Sequence, residues 1–274
     1  MKNKSIVIKI LIGGGFLLFL LLLIVIFSLI KMAIPKSEKK VVKEIITNTY
    51  SLEGVENLSF DFKKSNLVMK TSDNDDLIIV QNSEESKFYL NYKKKGKKVS
   101  FEEDGYLINP QKKKYTVYIP KKYINKITIV NGFGEISAEE IVNNLDINNN
   151  SGKIVLENIG YAKIKDVSGE VSINNVIGDI NISSSTGDIS ISNISGNINA
   201  ESITGNISIN RFYSTGDSYF ENVSGDINII MDESAICSIN YYNENGKTKI
   251  DSKVCNGNTN IVNAKNITGK INIY

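Results

Sequence analysis

Few residues in this chain are equipped for chemistry. Across 274 residues there is no His and no Trp, and Arg211 is the single arginine. That removes the usual proton shuttle and the usual planar clamp for phosphate or carboxylate. Asp179, Asp188 and Asp226 each follow a glycine at a repeated position, and stacked carboxylates of that kind hold Ca²⁺ in nonapeptide β-rolls. Such rolls need Gly-Gly-x-Gly-x-Asp, which is missing, and the same slot is also filled by Lys153, Glu170, Asn197 and Asn206. The expectation is solvated turn acids and no metal. A glycosidase would need a carboxylate pair about 5 to 9.5 Å apart, and a polysaccharide lyase a basic residue beside clustered acids. No acid pair stands out from the repeat, so the chain is expected to be no enzyme and to use no cofactor.

Three other groups could make contacts. Cys237 and Cys255 lie 18 residues apart, near two repeat lengths, so they could be joined if the chain folds outside the cytoplasm. Arg211-Phe212-Tyr213 and Tyr241-Tyr242 sit where the repeat is interrupted, and protruding aromatic residues suit partner recognition. Lys93, Lys94, Lys95, Lys97 and Lys98, with Lys112, Lys113 and Lys114, form a basic cluster suited to anionic lipid or wall polymer. Net charge is only +2, but Lys87–Lys126 holds twelve Lys against three acids, and Asn131–Ile230 holds thirteen acids against three Lys and one Arg. That dipolar layout would orient the molecule on an anionic surface. Nothing in the basic segment suggests a nucleic-acid partner.

The elements that hold these residues come from a repeat. Gly169-Glu170-Val171, Gly178-Asp179-Ile180, Gly187-Asp188-Ile189, Gly196-Asn197-Ile198 and Gly205-Asn206-Ile207 recur every nine residues. Each unit reads Gly-polar-apolar-polar-apolar, a short strand with one buried face. A third apolar residue recurs seven after the glycine, at Ile141, Ile159, Val176, Ile194, Ile203 and Phe212. The preceding Ser or Thr and the glycine form a corner. Stacked in parallel, such units build an all-β, parallel β-solenoid (β-helix) with about nine residues per side. A coil of 18 residues, two-sided, or 27, three-sided, both fit. The abundance of Asn, as in Asn148-Asn149-Asn150, matches AT-rich coding bias and needs no functional reading.

Tandem Ser/Thr-Gly-Asp-Ile units behind a Val-Tyr-Ile-Pro-Lys strand (Val117 to Lys121) and a first Gly134-Glu135-Ile136 resemble a bacterial family of domains of unknown function labelled "putative adhesin". The resemblance covers roughly Ser51 to Tyr274. It implies a β-solenoid at the cell envelope, carried in LiaG-like members behind one transmembrane helix and sometimes encoded beside envelope-stress regulators. It brings no catalytic residues with it.

Ile10 to Ile30 is uncharged between Lys9 and Lys31, and 21 helical residues span about 31 Å, the thickness of a bilayer core. The residues that follow show no cleavage pattern, so an uncleaved signal anchor is expected. The predicted organisation is a cytoplasmic tail over 1–9, a transmembrane anchor over 10–30, a stalk over 31–49, a basic irregular β-region over 50–130 and the solenoid over 131–274. Local Lys counts do not orient the span; the β-rich bulk suggests a single-pass cell-membrane protein with its mass outside. The expected function is non-enzymatic and adhesin-like, with an envelope protein, wall polymer or surface ligand as partner. The other readings are an accessory regulator or sensor of envelope stress, and a glycan-active enzyme.

Overall fold

Alternation along each short strand sets the architecture. In Val171–Ile177, Val171, Ile173 and Val176 are buried while Ser172 and Asn174 are not. In register, Val171 lies beside Ile189 and Ile173 beside Ile191, and Ile180 lies beside Ile198. Each offset is 18 residues, so one coil has two sides and the three-sided alternative is excluded.

The structure, a computed structural model, describes residues 44–274 apart from 84–86, 105–112, 252–253, 256 and 258. All regular structure in the described residues is strand. The predicted anchor at 10–30 lies outside them. In chain order the strands are β1 (Glu44–Tyr50), β2 (Asn57–Phe62), β3 (Asn66–Ser72), β4 (Leu77–Ser83), β5 (Leu90–Lys95), β6 (Lys98–Glu103), β7 (Lys114–Pro120) and β8 (Lys126–Phe133). The regular coils follow as β9 (Ile136–Glu139), β10 (Leu145–Ser151), β11 (Ile154–Ile159), β12 (Ala162–Ser168), β13 (Val171–Ile177), β14 (Ile180–Thr186), β15 (Ile189–Gly196) and β16 (Ile198–Thr204). The last are β17 (Ile207–Ser214), β18 (Ser218–Ser224), β19 (Ile227–Met231), β20 (Ser238–Asn245), β21 (Thr248–Ile250), β22 (Ile261–Thr268) and β23 (Ile271–Ile273).

They form two facing sheets. One has 12 strands in the order β1-β4-β7-β3-β9-β11-β13-β15-β17-β19-β23-β21, the other 11 in the order β20-β22-β18-β16-β14-β12-β10-β8-β2-β6-β5. Isoleucine columns between the sheets form one continuous core, with Ile180, Ile189, Ile191 and Ile207 inaccessible to solvent. The basic region is built into the same sheets, because β2 pairs with β8 and β3 with β9. The stalk expected to reach residue 49 stops sooner, since Glu44–Tyr50 is already a strand paired antiparallel with β4.

The two halves of a coil are not equivalent, although both begin with the same glycine signature. In the 12-stranded sheet the segments β9, β11, β13, β15 and β17 each carry or end on one residue in the left-handed conformation: Glu140, Asn158, Asn175, Asn193 and Arg211, with φ of 52–59°. This turns the next residue back inward, so Ile141, Ile159, Val176, Ile194 and Phe212 are buried. The other sheet lacks that kink, and Ile203, expected inside, is 56% exposed. There the corresponding inward column is polar. Asn131, Asn149, Asp166, Ser184 and Ser202 lie side by side and are all buried. Asn131 Nδ2 donates to the Gly134 carbonyl at 2.8 Å, and Asn149 Nδ2 to the Gly152 carbonyl at 3.0 Å. Asn149 is therefore a structural rung that satisfies corner carbonyls, and coding bias does not account for it.

At both ends the stacking order departs from chain order. β6 and β7 form a coil outside β2 and β3, covered by β5, β4 and β1. At the other end β22 and β23 insert between β18/β19 and β20/β21, so the earlier segment becomes the terminal coil.

Candidate functional site at the aromatic end of the stack

β20 is the outermost strand of one sheet and β21 of the other. Parallel pairing sets Tyr241 beside Ala264 and Ala264 beside Phe220, a column that faces the core. Phe220 and Ala264 are buried, whereas Tyr241 is 58% exposed, because no described strand lies beyond β20 to cover it. The outward columns of the same sheet run Asn199, Tyr219, Asn263, Asn240 and Glu201, Glu221, Lys265, Tyr242. Between them lies a shallow groove of about 480 Å³, bordered by Tyr219, Tyr241 and Tyr242.

Its polar groups are fixed by neighbours. Asn240 Nδ2 donates to Asn263 Oδ1 at 3.3 Å, and Asn263 Nδ2 to the Ser218 carbonyl at 3.3 Å. Lys265 Nζ donates to Glu221 Oε1 at 2.6 Å, and that bond holds the lysine above its ordinary pKa. Exposed phenol rings beside amides and carboxylates offer flat apolar faces with polar rims, the composition of a contact surface.

Cys237 and Cys255 are joined by a disulfide, with Cα atoms 4.3 Å apart. Cys237 is buried immediately before β20. Ser238 Oγ donates to the Gly257 carbonyl at 2.6 Å, and Gly257 N donates to the Cys237 carbonyl at 3.0 Å. These links fasten the returning loop to the start of the terminal strand.

The other sequence candidates fall elsewhere. Arg211 and Tyr213 line a corner groove of about 890 Å³ with Asn158, Asn175, Asn193 and Ile177. Arg211 continues the left-handed asparagine column, and its Nη2 lies 3.9 Å from Asp232 Oδ2. Two hydrogen bonds from Ser234 and then the Arg211 charge hold Asp232 below the usual carboxylate range. Phe212, grouped with them as a contact residue, is instead core. It is fully buried and packs edge-to-face on Phe220 with centroids 5.9 Å apart, because the kink at Arg211 turns it inward. The structure does not unite Arg211 and Tyr213 with the Tyr241–Tyr242 groove.

Lys93, Lys94 and Lys95 are exposed on β5, the edge strand at the opposite end of the stack. Lys93 pairs with Glu102 at 2.6 Å and Lys97 pairs with Glu56, while Lys98 and Lys114 open β6 and β7 with exposed side chains. Lys113 is no surface residue. It is 5% exposed, and its Nζ sits 3.2 Å from the Tyr89 ring centroid. Lys112 lies outside the described residues.

The corner acids accept hydrogen bonds from the next coil: Asn197 N to Asp179 Oδ1 at 3.0 Å, Asn206 N to Asp188 Oδ1 at 2.7 Å and Lys270 N to Asp226 Oδ1 at 2.8 Å. They are splints between coils. Among the described residues no three His, Cys, Asp or Glu side chains gather as a metal cluster would require. Tyr219, Asn199 and Asn263 escaped the sequence reading. Tyr219 was the available signal, an aromatic at an outward position that carries a polar residue in the neighbouring coils.

Fold and site together define a two-sided parallel β-solenoid with a charged edge at one end and an aromatic, uncovered edge at the other. The chain belongs to the Toastrack DUF4097 family, whose pattern matches residues 55–272. No curated protein matches it. Among solved structures, the chain is similar to a "putative adhesin" from Bacteroides fragilis, with 17% identity over 85% of this chain and 99% of that one and a TM-score of 0.55. It is also similar to a "putative adhesin" from Parabacteroides distasonis, at 12% identity over 85% and 98% with a TM-score of 0.41. A third is a "putative lipid binding protein" from the same species, at 14% identity over 86% and 98% with a TM-score of 0.38.

Proposed function

We propose that the protein is a non-enzymatic, adhesin-like contact protein of the cell envelope, held by one N-terminal span in a LiaG-like arrangement with its mass outside the membrane. The supporting observation is the polarity of the stack. β1, the first described strand, and the lysine-rich β5 lie at one end, while Tyr241 and Tyr242 lie at the other. Eleven strand spacings of about 4.8 Å place the aromatic end roughly 50 Å from β1. A stiff rod would thus set basic residues against an anionic leaflet and hold three tyrosines away from it. The name carried by the Bacteroides fragilis protein agrees with this reading.

The test is retention of the full chain, in detergent, by isolated bacterial envelopes. Tyr219→Ala combined with Tyr242→Ala is expected to lower retention at least tenfold, while Ser192→Ala on a central coil leaves it unchanged. Equal retention of both variants would refute the reading. Release of products from envelope glycans by the same preparation would refute its non-enzymatic part.

A further inference from the structure

A parallel solenoid exposes two sheet edges at each end, and each edge is a row of unpaired N–H and C=O groups that templates another strand. At the β1/β5 end, antiparallel strands and Lys93, Lys94 and Lys95 blunt the edges. Among the described residues the far end is less guarded. β20 reads Ser-Ile-Asn-Tyr-Tyr-Asn-Glu-Asn with one charged residue, and no described strand lies outside it. Lys249, the one lysine of β21, turns aside, with Nζ 4.9 Å from the Tyr274 ring centroid. The core itself is open here through Tyr241.

We propose that this end is covered by a second copy of the chain, paired tail to tail. The inference rests on the contact-protein reading and names the partner of its aromatic end. A separate extended peptide could satisfy only one edge. A two-fold axis normal to the sheets carries β20 onto an antiparallel β20 and β21 onto an antiparallel β21 at once, so both edges and the open core close together. The centre of β20 falls between Tyr241 and Tyr242, since the strand runs from Ser238 to Asn245. Opposed residues must share a face, so the register next to that centre sets Tyr241 opposite Tyr241 of the second copy, both in the core-facing column beside the axis. The β1 ends then point away from each other, about two rod lengths apart. This pairing therefore places the two chains in facing membranes, each rooted on the side of its own β1.

The experiment uses the full chain reconstituted into two populations of liposomes carrying different dyes. Wild-type vesicles are expected to cluster, seen by light scattering and dye co-localisation. Tyr241→Lys with Tyr242→Lys is expected to cut clustering at least tenfold by placing like charges at the axis. A second variant, Tyr241→Cys, is expected to yield a reducible covalent dimer containing both dyes' chains when oxidised. Wild-type vesicles that stay separate, clustering that survives the lysines, or the absence of a mixed covalent dimer would each overturn the proposal. If vesicles stay apart while envelope retention still depends on Tyr219 and Tyr242, self-pairing falls and the contact-protein reading stands.

Discussion

At the scale of single residues, buried polarity is the main cost of this fold. Asp166 stands in an amide-rich column, 4% exposed, accepting from Asn149 at 2.6 Å and Ser184 at 3.3 Å. Burial raises its pKa above the ordinary carboxylate value in spite of those bonds. Its folded state therefore binds a proton more readily than its unfolded state, so its contribution to stability falls as pH rises from the ordinary value through the raised one. Asp166→Asn keeps an acceptor and removes the buried charge. It should stabilise the chain by about 1 kcal/mol at pH 7 and by less near pH 4, measured by urea unfolding with circular dichroism. Gly187 is the opposite case. Its φ is +127°, and a Cβ there would strike the Gly169 carbonyl. Gly187→Ala should cost about 2 kcal/mol or more in the same measurement. Glycine at the corners was readable from the repeat; the carboxylate inside the column was not, because Asp166 looks like any strand acid until register sets it beside Asn149.

At the scale of elements, the nine-residue frame was legible and the eighteen-residue coil was not. Both halves share Gly-polar-apolar-polar-apolar, and they separate only through the left-handed residue that buries Ile194 and leaves Ile203 out. The swapped coils were illegible for another reason. The segment after Ile230 reads only as a weaker repeat, and nothing local says that β22 will pair between β18 and β20. The disulfide holds that excursion, closing a loop over a sequence separation of 18. Replacing both cysteines, Cys237→Ser with Cys255→Ser, should cost about 2–3 kcal/mol of terminal-coil stability. Hydrogen exchange should then speed up in β20 and β21 and stay slow in β13 to β16; uniform acceleration would contradict a local staple. At the other end, the exposed β5 lysines guard an edge as well as carrying charge. Lys93→Gln, Lys94→Gln and Lys95→Gln together should weaken adsorption of the chain to anionic vesicles, and the wild-type adsorption should fall with added salt. Adsorption that ignores both changes would leave these lysines an edge-protecting role alone.

At the largest scale, the two sheets of residues 44–274 make a stack whose ends differ in chemistry. The uneven charge was legible in the composition, since the lysines of 87–126 and the acids of 131–230 fall in different parts of the stack. The tyrosine end was half legible, since Tyr241 and Tyr242 interrupt the repeat, whereas Tyr219 joins them only through parallel pairing across β22. The most direct test of the contact role is hydrogen exchange of the full chain in bilayer nanodiscs, with and without added envelope fragments. Protection confined to β18, β20 and β22 is the predicted footprint. Protection restricted to the central coils, or none at the aromatic end, would contradict the account.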